Sequence, residues 1–189
     1  MKKQLAMLGA AVMIALSGCA DQADKNNTAQ EDSSTMSNSD MNHSDMNHSG
    51  SSEVPPGLKN ASNPTFKVGS QAVIHADHMP GMKGSTATIA GAYDTTAYVV
   101  TYTPTTGGDP VKNHKWVIHE ELKNAGEQPY EVGAKVVLEA DHMKGMKGAD
   151  ATIESAEHTT VYMVDYTPST GGEPVKNHKW VTEDELTAK

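Results

Sequence analysis

Arginine is absent. All fifteen basic residues are lysines, set against twenty-four Asp and Glu, and the formal charge at pH 7 is −9. A polyanionic partner asks for a basic face, usually with arginine on it, so nucleic acid is excluded as a first reading. Cysteine is nearly absent, at one residue, which rules out an internal disulfide framework and every multi-cysteine zinc or iron–sulfur site. Aromatics make up 5% of the chain, and no apolar run reaches the roughly 20 residues of a membrane-spanning helix. Against these shortages stand eleven methionines and nine histidines. Their placement carries most of the information.

Residues 1–18 read as a signal peptide, with Lys2 and Lys3 at the positive end and an apolar run from Leu5 to Leu16. The run ends in Leu16-Ser17-Gly18-Cys19, which resembles a bacterial lipobox. In that reading Cys19 opens the mature chain and carries palmitate-type acyl chains that hold the protein on the extracytoplasmic face of the cell membrane. Burial of acyl chains at ~0.8 kcal/mol per methylene supplies an anchor that an acidic protein cannot obtain from charge.

From the lipidated Cys19 to residue 64 the chain is mostly Ser, Asn, Asp, Thr and Gln, a composition that predicts a disordered tether. Inside it sits a tandem pentapeptide, Asp40-Met41-Asn42-His43-Ser44 followed by Asp45-Met46-Asn47-His48-Ser49. Thioether and imidazole donors together favour Cu(I), and imidazole also takes Cu(II) or Zn(II), so Met41, His43, Met46 and His48 are weaker candidate ligands. The plain alternative is slippage in a low-complexity spacer.

The remainder is a duplication. Val68 to Leu122 matches Val132 to Leu186 with a constant offset of 64 and no gap. Two copies make a pair of modules, here residues 65–123 and 132–189 with a linker at 124–131, and not a solenoid. The apolar pattern has the period of strands. In the first copy it predicts strands at 72–76, 86–90, 97–102 and 115–118, with Asp94-Thr95-Thr96 as a turn between the middle two. Strands so short predict an all-β protein of two tandem small SH3-like β-barrel modules, closed so that no edge is exposed.

Both modules carry the same loop. Asp77-His78-Met79-Pro80-Gly81-Met82-Lys83-Gly84 recurs as Asp141-His142-Met143-Lys144-Gly145-Met146-Lys147-Gly148. One imidazole and two thioethers within five residues suit Cu(I). His78, Met79, Met82, His142, Met143 and Met146 are therefore the primary metal candidates. The alternative for the methionines is adaptable core filling. Val111-Lys112-Asn113-His114-Lys115-Trp116 also recurs intact, as residues 175–180, and makes His114 and His178 second-tier ligand candidates.

These paired motifs, Asp-His-Met-x-Gly-Met-Lys-Gly and Thr-Gly-Gly-x-Pro-Val-Lys-Asn-His-Lys-Trp, resemble the YdhK-type family of lipoproteins, a domain of unknown function in tandem copies. The resemblance extends to the copper-binding surface lipoproteins of the CopL type found in Gram-positive bacteria. It implies a protein that sequesters copper outside the membrane and contributes to copper tolerance, with a copper efflux pump or the cell wall as further contacts. The rival reading is a cell-wall or surface-protein interaction module without a metal, carried by Trp116, Tyr102 and the Thr-Gly-Gly loop. No catalytic constellation is recognisable, so no enzyme is expected.

Overall fold

The computed structural model describes residues 49–189; the signal peptide, Cys19 and the Met41–His48 repeat lie outside the described residues. The elements are almost entirely strands: β1 (Lys59–Asn60), β2 (Gln71–Ile74), β3 (Thr86–Tyr102), β4 (Val111–Ile118), β5 (Lys135–Val137), β6 (Asp150–Tyr166), β7 (Val175–Thr182) and β8 (Leu186–Ala188). Two short 3-10 turns, His119–Glu121 and Glu183–Glu185, follow β4 and β7.

The all-β expectation holds, and the barrel does not. The sheet runs in the order β5-β6-β3-β2-β8, with β1 and β4 also on β3 and β7 on β6, and it does not close. The cause is strand length. Asp94-Thr95-Thr96, expected to turn, instead pairs with Thr160, Thr159 and His158, so β3 and β6 are each single 17-residue strands. β-branched threonines suit an extended ladder as well as a turn, and Thr95 and Thr96 are buried there.

The long pairing interlocks the repeats. Ala87 meets Tyr166 at one end of the β3–β6 ladder and Tyr102 meets Ala151 at the other. One core cluster therefore joins Ile74, Met82 and Ile89 from the first repeat to Tyr162, Val164 and Tyr166 from the second. Its mirror joins Leu138, Met146 and Ile153 to Tyr98, Val100 and Tyr102. Alternate residues of β3 serve different clusters, as strand geometry requires. Ala97 and Val99 pack with Trp116, Trp180 and Met163 in a third cluster. Each large apolar side chain so buried contributes about 1.5–3 kcal/mol.

The ordered body also reaches back into the segment read as tether. Gly50 donates to the Lys176 carbonyl at 2.8 Å, Lys176 N donates to Ser49 Oγ at 2.9 Å, and β1 pairs with the middle of β3. Val54 and Leu58 pack on the tryptophan cluster. Backbone pairing and two apolar anchors thus order residues that composition alone assigned to the tether.

Candidate metal centre

The loop after β2 is a compact turn. Gly84 N bonds the Ile74 carbonyl at 2.8 Å and Met82 N bonds the Met79 carbonyl at 3.2 Å. Gly81 has φ +73°, and a Cβ there would lie 2.5 Å from Thr170 Oγ1 and 2.7 Å from Pro168 Cβ. Only glycine serves at such a position. Its carbonyl accepts from Ser169 N at 2.8 Å. The loop of one repeat is therefore clamped by the Thr-Gly-Gly loop of the other, and Gly145 with Thr105 and Thr106 repeats the arrangement.

Clamping divides the motif. Met82 and Met146 are fully buried, one in each mirrored core, so the structure gives both methionines the core-filling role. His78, His142 and Met143 stay outside those cores, half-buried, and Met79, also half-buried, packs against the edge of the first. On β4 and β7, Asn113 and Asn177 adopt left-handed conformations at φ +52° and +50°. Register shifts flank the positions Val100↔His114 and Val164↔His178. Asparagine tolerates this conformation, and the irregularity bends the strand and re-aims the next side chain. That next side chain is His114 or His178, each edge-on to a core tyrosine, Tyr102 at 5.8 Å and Tyr166 at 5.9 Å.

The four histidines come together across the repeats. His78 and His178 have ring centroids 5.8 Å apart, and His114 and His142 are 6.3 Å apart. Met79, His114, His142, Met143 and His178 line one cavity of ≈ 520 Å³, together with Glu121 and residues of the Ser49–Pro56 strap. Among the described residues no three or more His, Cys, Asp or Glu side chains already stand as a metal group. What the cavity offers is imidazole pairs with a thioether nearby.

Electrostatics sharpens the picture. Glu121, itself 6% exposed, accepts from His142 Nε2 at 2.7 Å, Trp180 Nε1 at 3.1 Å and Ile118 N at 3.2 Å. With Nε2 donating, the lone pair of His142 resides on Nδ1. That atom is buried and has no hydrogen-bond partner among the described residues, as are His78 Nδ1 and Nε2 and His114 Nε2. The Lys115 carbonyl approaches the His78 ring outside hydrogen-bond geometry. Burial pushes His114 down to about 4, helped by neighbouring His142 and His78. Burial also lowers His78, partly countered by Glu185. Both rings are thus neutral at pH 7, the form in which imidazole binds a metal.

Of the residues singled out in the sequence, the structure gathers His78, Met79, His142, Met143, His114 and His178, and leaves Met82 and Met146 in the cores. Met41, His43, Met46 and His48 lie outside the described residues. His114 and His178, ranked second from sequence, prove central to the cavity; the Asn-His step that aims them was the legible sign. Glu121 and Glu185, at the ends of the two copies, gave no sign. Trp116 and Tyr102, the aromatic residues of the polymer-binding reading, are only 6% and 2% exposed, while its Thr-Gly-Gly loop at 105–110 is exposed.

The family described as protein of unknown function (DUF1541) matches residues 68–119 and 132–183. An uncharacterized protein YdhK of Bacillus subtilis (strain 168) is 56% identical over 188 residues, spanning 100% of this chain and 90% of that protein. A crystal structure of a DUF1541 family protein (YdhK) from Bacillus subtilis subsp. subtilis str. 168 is similar at 66% identity. It covers 78% of this chain and 100% of its own, with a TM-score of 0.75. The solution NMR structure of the YdhK C-terminal domain, 69% identical, covers 65% of this chain and 93% of its own, with a TM-score of 0.62.

Proposed function

We propose that this chain, which belongs to the DUF1541 family, is an extracytoplasmic, lipid-anchored protein that captures copper and contributes to copper tolerance. The observation that carries the reading is the cavity in which His114, His142 and His178 converge with Met79 and Met143, His78 standing beside His178. Buried polar atoms without partners cost about 1–3 kcal/mol each and ask for an explanation such as an ion. A metal accepting from His78, His114 and His142 supplies one.

The donor set favours copper, Cu(I) first and Cu(II) second. Neutral imidazole and thioether donors select Cu(I) over the hard cations, which want carboxylate and carbonyl oxygen. Neutral rings also bring no charge to neutralise on binding. The lipobox at Cys19 and the membrane anchor belong to the same reading: copper is intercepted outside the membrane and held or passed to an efflux pump. The Met/His repeat at 41–48 raises the local ligand concentration beside the body.

The test is anaerobic Cu(I) competition against a chromophoric chelator. The unmutated chain, a form beginning at Ser49 and a full chain with His78, His114, His142 and His178 changed to glutamine would be compared. Tight binding that survives loss of the tail and disappears with the four histidines is the expected result. Binding that follows the tail alone, or is absent from the unmutated chain, overturns the reading.

A further inference from the structure

We infer that two inequivalent metal centres, each built from both repeats, form in and beside the cavity, and that the centre at His114 and His142 fills before the centre at His78 and His178. This rests on the metal-capture reading above and goes beyond it by assigning ligands, number and order.

The pairing follows from geometry. A metal–nitrogen bond of about 2.0–2.1 Å to each of two rings sets their centroids roughly 5–6 Å apart, and a little more when the two bonds are collinear. The observed separations of 5.8 Å and 6.3 Å lie in that range. Each pair takes one histidine from a Met/His loop and the other from an Asn-His strand of the opposite repeat. Met79 and Met143 line the same cavity and supply thioethers beside the two pairs.

The inequivalence follows from one broken symmetry. Glu121 and Glu185 are counterparts, offset by 64, and each accepts from the tryptophan of the other repeat: Trp180 Nε1 at 3.1 Å and Trp116 Nε1 at 2.8 Å. Their remaining oxygens differ in use. Glu121 Oε1 takes His142 at 2.7 Å. Glu185 Oε1 faces Lys115 Nζ at 3.9 Å, and His78 donates no hydrogen bond to it. The lysines beside these glutamates differ as well: Lys179, the counterpart of Lys115, donates to the Glu53 carbonyl of the strap, whereas Lys115 faces Glu185.

The consequence is chemical. A carboxylate on the far nitrogen fixes tautomer and ring orientation and raises ligand basicity; losing such a partner typically costs about 10–100-fold in metal affinity. His142 has that partner and His78 does not. Glu121 is therefore a positioning residue for the first centre, and Glu185 holds Trp116 without serving the second.

The experiment is a stepwise anaerobic Cu(I) titration of the full chain in detergent, followed by histidine ring NMR and by chelator competition. Two binding steps are expected, with His114 and His142 rings shifting in the first and His78 and His178 in the second. Glu121→Gln should weaken the first step about 10–100-fold and leave the second within about 2-fold, while Glu185→Gln leaves both steps in place. A merely structural glutamate would instead shift both steps together with the unfolding midpoint. Simultaneous filling of all four rings, or His78 and His178 shifting first, overturns the inference without recourse to any variant. Absence of Cu(I) binding by the unmutated chain sinks the function reading itself, whereas binding in the wrong order sinks only this inference.

Discussion

Thr95 lies directly opposite Thr159 in the antiparallel ladder of β3 and β6, so that a residue meets its own counterpart one repeat later. In an antiparallel pair this marks a local two-fold axis. Most core contacts on one side recur on the other with the repeats exchanged, as Met82 with Tyr166 and Met146 with Tyr102 do. The histidine cavity inherits the exchange, because a histidine borne by one repeat faces a histidine borne by the other.

One repeat alone therefore lacks half of each core. The fragment 124–189, expressed by itself, should either remain unfolded or pair with a second copy of itself through β6. Sedimentation equilibrium decides the matter; a stable folded monomer would contradict the interlocked account.

The two methionines of each loop should separate cleanly. Met82→Ala and Met146→Ala each empty a fully buried position and should cost about 2–5 kcal/mol of stability. Met79→Ala and Met143→Ala, at half-buried positions, should cost less than about 1 kcal/mol. Urea midpoints give the first ordering. Cu(I) affinity should reverse it, falling with Met79 and Met143.

Acid should weaken the metal-free chain in a defined window. His114 has its pKa lowered from 6.5 to about 4 by burial, so the folded state favours the neutral ring. The stability this ring contributes is complete above pH 6.5, declines as pH falls toward 4 and levels off below, a loss on the order of 3 kcal/mol. His78 shifts in the same direction. Subtracting the stability profile of His114→Gln from that of the unmutated chain removes the carboxylate background. A flat difference between pH 6.5 and 4 would contradict the burial of this ring.

The strap should be separable from the body by one methyl group. A Cβ at Gly50 would lie 2.6 Å from the Asn177 backbone carbonyl oxygen, too close for a side chain. Gly50→Ala should lift the strap from β7, speed amide exchange at Gly50 and Lys176 about tenfold or more, and expose residues 50–56 to protease. Unchanged exchange would mean that the strap is held elsewhere.

Much of this architecture was legible. The duplication, the strand period and the Met/His loops are direct readings; β2 and the latter half of β3 fall close to where alternation places them, while β4 contains the expected 115–118 but begins at Val111. The exchange between repeats was not, for a physical reason. With repeats about two-thirds identical, pairing within a copy and pairing across copies present largely the same residues to one another. The choice turns on whether Asp94-Thr95-Thr96 bends or stays extended, and Asp and Thr chemistry permits both. The same ambiguity hid the roles of Met82, whose thioether reads equally as ligand or filler, and of Glu121, whose importance depends on a histidine from the other repeat. The Asn-His step carried a legible mark, a residue type that accepts positive φ just before an imidazole, but only the fold shows which cavity it aims at.

The most direct measurement is histidine ring NMR of the full chain as Cu(I) is added anaerobically. The account predicts that His78, His114, His142 and His178 shift while exposed His75 and His158 do not. It is contradicted if the shifts are confined to His43 and His48, or if no ring responds.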